Sequence, residues 1–229
     1  MTKLVRVIDM QRCMGCRACI AACHVENHFN PGSPWNVMLE QEVGTYPNVR
    51  TVFATMNCMH CEDPPCKTVC DTIKVNAISK NEFGVVLIDY DKCIGCRYCY
   101  AVCPYGVPQF NDKLSGLYPG DQPTPYEAAG ASQRHPTHRK KPGVVEKCTF
   151  CWHKLEKAVS DGKTERIGKD PEYTPSCDLV CPVNARLFGD LDEKDGPVAR
   201  YIGKKRATQL KKEYGTRPQV YYVTEGGQY

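Results

Sequence analysis

The sequence predicts an α+β fold made of two small units, one nested inside the other, with long loops and a helix and strand at the C-terminal end. Three observations predict it. Sixteen cysteines fall into four quartets, and Ile8 to Cys23 recurs as Ile88 to Cys103. The other two quartets, Cys58, Cys61, Cys66, Cys70 and Cys148, Cys151, Cys177, Cys181, both close with C-x-x-x-C, so two kinds of quartet alternate along the chain. Only the middle two quartets lie close enough along the chain to complete a unit by themselves.

The third quartet is the clearest. In Cys93-Ile-Gly95-Cys96-Arg97-Tyr-Cys99-Tyr-Ala-Val-Cys103-Pro104, three cysteines spaced by two residues precede a fourth that a proline follows. This is the spacing of a bacterial-ferredoxin loop, which grips one [4Fe–4S] cube and passes its last thiolate to a second. Gly95 omits a side chain where the backbone runs close to the cluster. A helix begun over residues 97–103 aims Cys103 away from the first cube. The first quartet repeats Gly15, Arg17 and all four cysteines in register.

Sixteen thiolates at four per cube predict four [4Fe–4S] clusters. Eight disulfides would suit a small secreted scaffold, but no secretory signal is visible and the cysteines of C-x-x-C-x-x-C crowd one another. Structural zinc takes two pairs from two knuckles, whereas three cysteines in one loop with a distant fourth suit a cube.

Spacing pairs the quartets. Twenty-two residues separate Cys70 from Cys93, against thirty-four between Cys23 and Cys58 and forty-four between Cys103 and Cys148. The second and third quartets therefore form an inner ferredoxin-like unit, residues 50–110. The first and fourth form an outer unit, residues 1–49 with 142–229, and residues 111–141 are an inserted surface loop. With each fourth cysteine crossing to its neighbour, Cys13, Cys16, Cys19 and Cys181 hold the first cluster. Cys148, Cys151, Cys177 and Cys23 hold the second, Cys58, Cys61, Cys66 and Cys103 the third, and Cys93, Cys96, Cys99 and Cys70 the fourth. Sequential pairing, first with second and third with fourth, is the alternative topology.

Taken in order, residues 3–9 alternate as a strand into Cys13. Ala18, Ala21 and Ala22 favour a short helix. His24 and His28, four apart, read as surface residues or supports of the ligands, since cysteine already supplies every cluster. Residues 35–46 read as a loop and a possible strand, and 50–55 as a β-rich run into Cys58. Pro64 and Pro65 stiffen the widened gap of the second quartet. Residues 85–89 form the strand feeding the third quartet. Residues 111–143 lack periodicity and suit a surface excursion that contacts a partner. Residues 154–159 suit a helix. Residues 198–214 read as an amphipathic helix stopped by Gly215, and 219–224 as a late strand.

Composition narrows the class. A net charge of +4 identifies no nucleic-acid binder, and the basic runs 134–141 and 200–217 lack interleaved stacking aromatics. With 41% hydrophobic residues, 17 prolines and 18 glycines, the core is modest and metal binding should be coupled to folding. No apolar run spans a bilayer, the longest aliphatic stretch being Val85 to Ile88.

The four quartets, their order, the widened second quartet and the long gap within the fourth resemble the four-cluster electron-transfer subunit of complex iron–sulfur molybdoenzymes, such as dimethyl sulfoxide, polysulfide, thiosulfate, tetrathionate and arsenate reductases. The likeness covers residues 4–195, and Gly215 to Pro218 is similar to the polysulfide reductase branch. The resemblance implies a non-catalytic subunit that relays single electrons between a molybdopterin catalytic subunit, facing the first and fourth quartets, and a membrane quinone-reactive subunit or soluble carrier, facing the second and third. It implies that molybdopterin sits only on the partner and that the complex is membrane-associated through partners, on the periplasmic side or alternatively in the cytoplasm. Asp71 after Cys70 and His24 after Cys23 depart from the proline that follows Cys103 and Cys181. Arg17 and Arg97, placed alike in the two repeats, are candidates for tuning cluster potentials. Other readings are a hydrogenase or formate dehydrogenase subunit, or, in another class, a zinc-knuckle structural or nucleic-acid-binding protein.

Overall fold

The computed structural model describes residues 2–30, 32–113 and 134–224. Strand β1 (Leu4–Asp9) is buried along its whole length, because β8 (Arg186–Asp190) pairs antiparallel on one side and β9 (Val220–Val223) parallel on the other. Side chains two apart share a face of a strand. Val5 and Val7 pack under helix α6 (Pro197–Lys205) with Val198 and Val223. Leu4 and Ile8 join the main core beside the cysteines, and Arg6 lies between them on that face.

Strands β4 (Ile78–Lys80) and β5 (Val86–Ile88) form an antiparallel hairpin. It matches the β1–β8 pair: Ile88 faces Ile78 as Ile8 faces Arg186, and the Asp89 N–H donates to the Ala77 carbonyl at 2.8 Å as the Asp9 N–H does to Ala185 at 2.7 Å. The repeat seen in the cysteines thus extends to the strand partner beside each loop. A third pair, β6 (Gln109–Asn111) with β7 (Val144–Glu146), brings the chain after the third quartet against the strand before Cys148.

Two elements differ from expectation. Residues 35–46 are not mainly loop: β2 (Asn36–Thr45) and β3 (Asn48–Asn57) form a ten-residue-a-side hairpin, so the chain position between residues 49 and 50 lies inside one hairpin. Much of its outer half is exposed and only its base is buried, which is why no apolar face is legible. The helix expected over 198–214 stops at Lys205. Arg206 turns left-handed at φ 50°, and Thr208 exchanges backbone hydrogen bonds with Tyr222 at 2.8 and 2.7 Å. Pairing beside β9 outweighs helix propensity there, and Tyr214 is left 60% exposed. Gly215, at φ 66°, closes a 3₁₀ turn over Lys212–Tyr214.

Helices follow the cysteine loops. α1 (Ala18–Asn27) and α3 (Tyr98–Ala101) both start after an arginine in the left-handed region, Arg17 at φ 59° and Arg97 at φ 63°. α2 (Pro65–Thr72) begins on Pro65, whose missing N–H is harmless at a first turn. α4 (Trp152–Ser160) starts directly after Cys151 and α5 (Ser176–Leu179) holds Cys177, and Leu155 and Ala158 are fully buried. Most of the 111–141 excursion lies outside the described residues.

Candidate metal centres

The cysteine side chains gather into sets. Cys13, Cys16, Cys19 and Cys181 line a cavity together with Ile8, Met38 and Val183. Cys70, Cys93, Cys96 and Cys99 line a second. Cys58, Cys61, Cys66 and Cys103 line a third, walled by Met59, Val86 and Tyr105. Cys23, Cys148, Cys151 and Cys177 form a fourth set. Asn27 Nδ2 lies 3.7 Å from Cys23 Sγ and 3.8 Å from Cys151 Sγ, and burial together with Cys177, Cys148 and Cys151 pushes the Cys23 thiol well up. All sixteen are free thiols.

Exposure grades the sets. Cys16 and Cys96 are exposed, whereas Cys23, Cys148, Cys151 and Cys177 are all buried. Backbone N–H groups donate to three sulfurs: Ala77 to Cys70 at 3.3 Å, Ala185 to Cys181 at 3.2 Å and Phe150 to Cys148 at 3.4 Å. Burial pushes the Cys61 and Cys66 thiols up to about 12 and Cys99 to about 11, with neighbouring cysteines adding to each shift. A buried quartet of thiolates is therefore costly without a cation to balance it.

The donor sets fit [4Fe–4S] clusters. Three of them line enclosures and the fourth is wholly buried, and among the described residues no three His, Cys, Asp or Glu side chains close on a point as a single metal ion requires. Arg6 is fully buried, yet its Nη1 finds no hydrogen-bond partner among the described residues, while its Nη2 donates to Cys177 Sγ at 3.3 Å. An unpartnered donor beside that thiol set suits a sulfide acceptor.

The residues singled out from sequence sit at the rims. Arg17 is exposed and pairs with Glu40, and Arg97 lies over the Phe110 ring with its guanidinium carbon 3.6 Å from the centroid. His24 stacks on Phe29 at 4.6 Å, and His28 meets His138 edge-on at 6.1 Å. Gly95 has a neighbour that sequence did not suggest. At φ +67°, a Cβ there would lie 2.0 Å from the Gly143 carbonyl oxygen, so the adjoining chain fixes the glycine as well.

Sequence reasoning missed the buried charges. Asp178 accepts from Arg6 Nε at 2.9 Å and Nη2 at 2.7 Å, and from Arg186 Nε at 3.0 Å. Arg186 Nη2 also points at Cys177 Sγ, 3.5 Å away, and Nη1 donates to Thr55 Oγ1. Lys147, also buried, donates to the carbonyls of Val86 and Cys148. The His60 ring packs tilted against Phe150, centroids 3.8 Å apart, and accepts from the Val86 N–H at 3.0 Å, linking the Cys58–Cys61 loop to the Cys148–Cys151 loop. The one available signal was a charge inside an apolar strand, Val5-Arg6-Val7, directly before a quartet.

Two family profiles, each described as a 4Fe-4S dicluster domain, match residues 49–118 and 85–156. Over 97% of its length the chain is 38% identical to a putative dimethyl sulfoxide reductase iron–sulfur subunit of Halobacterium salinarum, covering 79% of that protein. The chain belongs to the iron–sulfur subunit family of the complex iron–sulfur molybdoenzymes. Another member, the iron–sulfur subunit of an arsenate respiratory reductase from a Shewanella species, is 35% identical over 98% of this chain and 97% of its own. The cluster-binding subunit of a menaquinone reductase from Nitratidesulfovibrio vulgaris is 35% identical over 95% and 87%. As an iron–sulfur subunit of this family, the protein transfers electrons within an oxidoreductase complex and is not the catalytic subunit. The relatives do not favour a zinc-knuckle, nucleic-acid-binding, hydrogenase or formate dehydrogenase reading.

Proposed function

We propose that the chain carries four [4Fe–4S] clusters, held by the four cysteine sets above, and relays single electrons between a molybdopterin catalytic subunit and a membrane quinone-reactive subunit or soluble carrier. A [4Fe–4S] cluster takes up or gives back one electron while keeping its thiolate ligands. The protein's part is to bury the cluster, to donate N–H groups to its sulfurs and to fix nearby charge. The observation that carries the reading is the gathering of sixteen free thiols into four separate sets of four.

Two nested units follow from the same assignment: residues 1–49 with 142–229 outside, 50–110 inside, and 111–141 inserted. Pairing of β1 with β8 and of β4 with β5 supports it, with the β2–β3 hairpin shared across the boundary. The exposed Cys16 and Cys96 suit points where electrons enter and leave, the first toward the catalytic subunit and the second toward the membrane side. Arg17 and Arg97, at the rims, would bias these two outer clusters. Among the described residues no helix is long and apolar enough to cross a membrane, so the reading takes attachment from a partner, with the complex on the periplasmic side. Relatives named for menaquinone and menaquinol chemistry support the quinone connection.

The test is anaerobic iron and acid-labile sulfide analysis of the purified chain with paramagnetic resonance after dithionite reduction. About sixteen irons per chain and four reducible clusters are expected. Far fewer irons with no reduced-state signal would overturn the reading, and co-purification identifies the partners.

A further inference from the structure

Duplication gives this chain an internal comparison. Arg6 in β1 corresponds to Val86 in β5 by the repeat of Ile8 in Ile88, and Arg186 in β8 corresponds to Ile78 in β4, because Ile8 faces one and Ile88 the other. Asp178, next to Cys177, corresponds to Lys67, next to Cys66, and Lys67 is partly exposed and tied to Asp71. The inner unit thus has apolar residues, and a cation at its rim, where the outer unit has a fully buried Arg–Asp–Arg network touching a ligand sulfur.

The network is built to be immobile. Arg6 spans Asp178 with two nitrogens, and its guanidinium lies 4.7 Å from the Phe150 centroid and 5.6 Å from that of Phe188. Arg186 is held by Asp178 and Thr55. Both guanidinium groups reach Cys177 Sγ, at 3.3 and 3.5 Å. Two cations against one carboxylate leave an excess positive charge, and a fixed positive charge in a buried site stabilises an added electron. Arg6 also faces Cys148 and Cys23, while Arg186 also faces Cys19 of the adjoining set and lines its cavity.

We propose that Arg6 and Arg186, spaced by Asp178, are positioning residues that make the cluster of Cys23, Cys148, Cys151 and Cys177 easier to reduce, with Arg186 acting in addition on the cluster of Cys13, Cys16, Cys19 and Cys181. This rests on the four-cluster reading above. The network acts on outer-unit potentials through two guanidinium groups and a carboxylate, whereas the buried charge beside an inner-unit set is the single ammonium of Lys147, which lines the cavity of Cys58, Cys61, Cys66 and Cys103, so the duplicated halves of the chain carry different buried charge.

The experiment is redox titration of the full, cluster-loaded chain, followed by paramagnetic resonance, on wild type, Arg6→Gln, Arg6→Lys, Arg186→Gln and Asp178→Asn. Arg6→Gln should weaken reduction of one cluster about tenfold, the scale of one charge acting across buried protein, which is 59 mV for a one-electron couple. Arg186→Gln should lower two midpoints, Arg6→Lys should restore most of the loss, and Asp178→Asn should raise the midpoint that Arg6→Gln lowers. Unchanged midpoints, or equal shifts of all four, would overturn the inference. If the glutamine variants lose iron, Asp178→Asn and Arg6→Lys decide it: a midpoint that does not rise in the first, or falls in the second as far as for a neutral residue, refutes it. A wild type without four clusters refutes instead the reading beneath.

Discussion

Lys140 and Glu146 make the sharpest stability prediction. Their charged atoms lie 3.0 Å apart with both side chains wholly buried, in ion-pair contact but off a straight hydrogen-bond line. The ammonium also sits 4.5 Å from the Trp35 ring centroid. Burial pulls Lys140 down and Glu146 up, each opposed by the other's charge. Replacing Lys140 by Met strands the carboxylate two residues before Cys148 and should cost about 3–5 kcal/mol, the cost of breaking a buried pair. If the pair breaks before the unfolding barrier, anaerobic bleaching of the holoprotein in guanidinium accelerates roughly a hundred- to a few-thousand-fold. A raised folded-state carboxyl pKa destabilises increasingly as pH rises above the unfolded value near 4.3, so the loss should be smaller at pH 5 than at pH 8. Lys140→Met with Glu146→Leu should recover most of the stability, because the imperfect pair repays little of its desolvation. A single variant costing under about 1 kcal/mol, or a double variant worse than the single, would refute this account.

Other predictions use different features. Burial, with His153, Lys140, His135 and His28 around it, holds His138 down to about 3, so the unfolded chain takes up the extra proton as pH falls. Stability should be full above about 6.5 and fall toward pH 3 with a slope approaching 1.4 kcal/mol per unit; His138→Gln should flatten thermal melts measured between pH 7.5 and 5.5. Cys103→Ser should remove the resonance of the cluster shared with Cys58, Cys61 and Cys66, and Cys70→Ser that of the cluster of Cys93, Cys96 and Cys99; the reverse result would favour uncrossed pairing. Gly95→Ala pushes a methyl into the Gly143 carbonyl, whereas Gly15→Ala meets the Phe53 ring at 2.7 Å. Both strain a positive φ, but a ring can shift where backbone cannot, so heat should bleach the first variant sooner than the second.

The sequence was most informative where chemistry fixes spacing. The cysteine loops, the strands leading into them and the helices after Arg17 and Arg97 were legible because ligand geometry permits few arrangements. The β2–β3 hairpin was legible only as a possible strand in 35–46 and a β-rich run at 50–55; its length and pairing were not, since its exposed outer half carries no alternating apolar face. The tail misled because Ile202, Leu210 and Tyr214 mimic a helical stripe, while the bridge from Thr208 to Tyr222 depends on a strand that periodicity cannot see. Arg6, Arg186 and Asp178 were hidden for a related reason. Arg6 lies 172 residues from Asp178, and Asp178 and Arg186, taken alone, resemble surface charges.

The bond from the Lys3 N–H to Asp190 spans 187 residues, and Val220 pairs beside Arg6 later still. During synthesis the hairpin of β4 and β5 can close at once, while β1 waits until its partners at residues 186–190 and 220–223 have left the ribosome. Nascent chains arrested before residue 186 should therefore protect the thiols around Cys93 from alkylation while leaving Cys13 and Cys23 open. On the cysteine sets proposed above, metal loading should follow connectivity: the middle of the polypeptide matures first, and the thiols nearest its start must be kept reduced the longest.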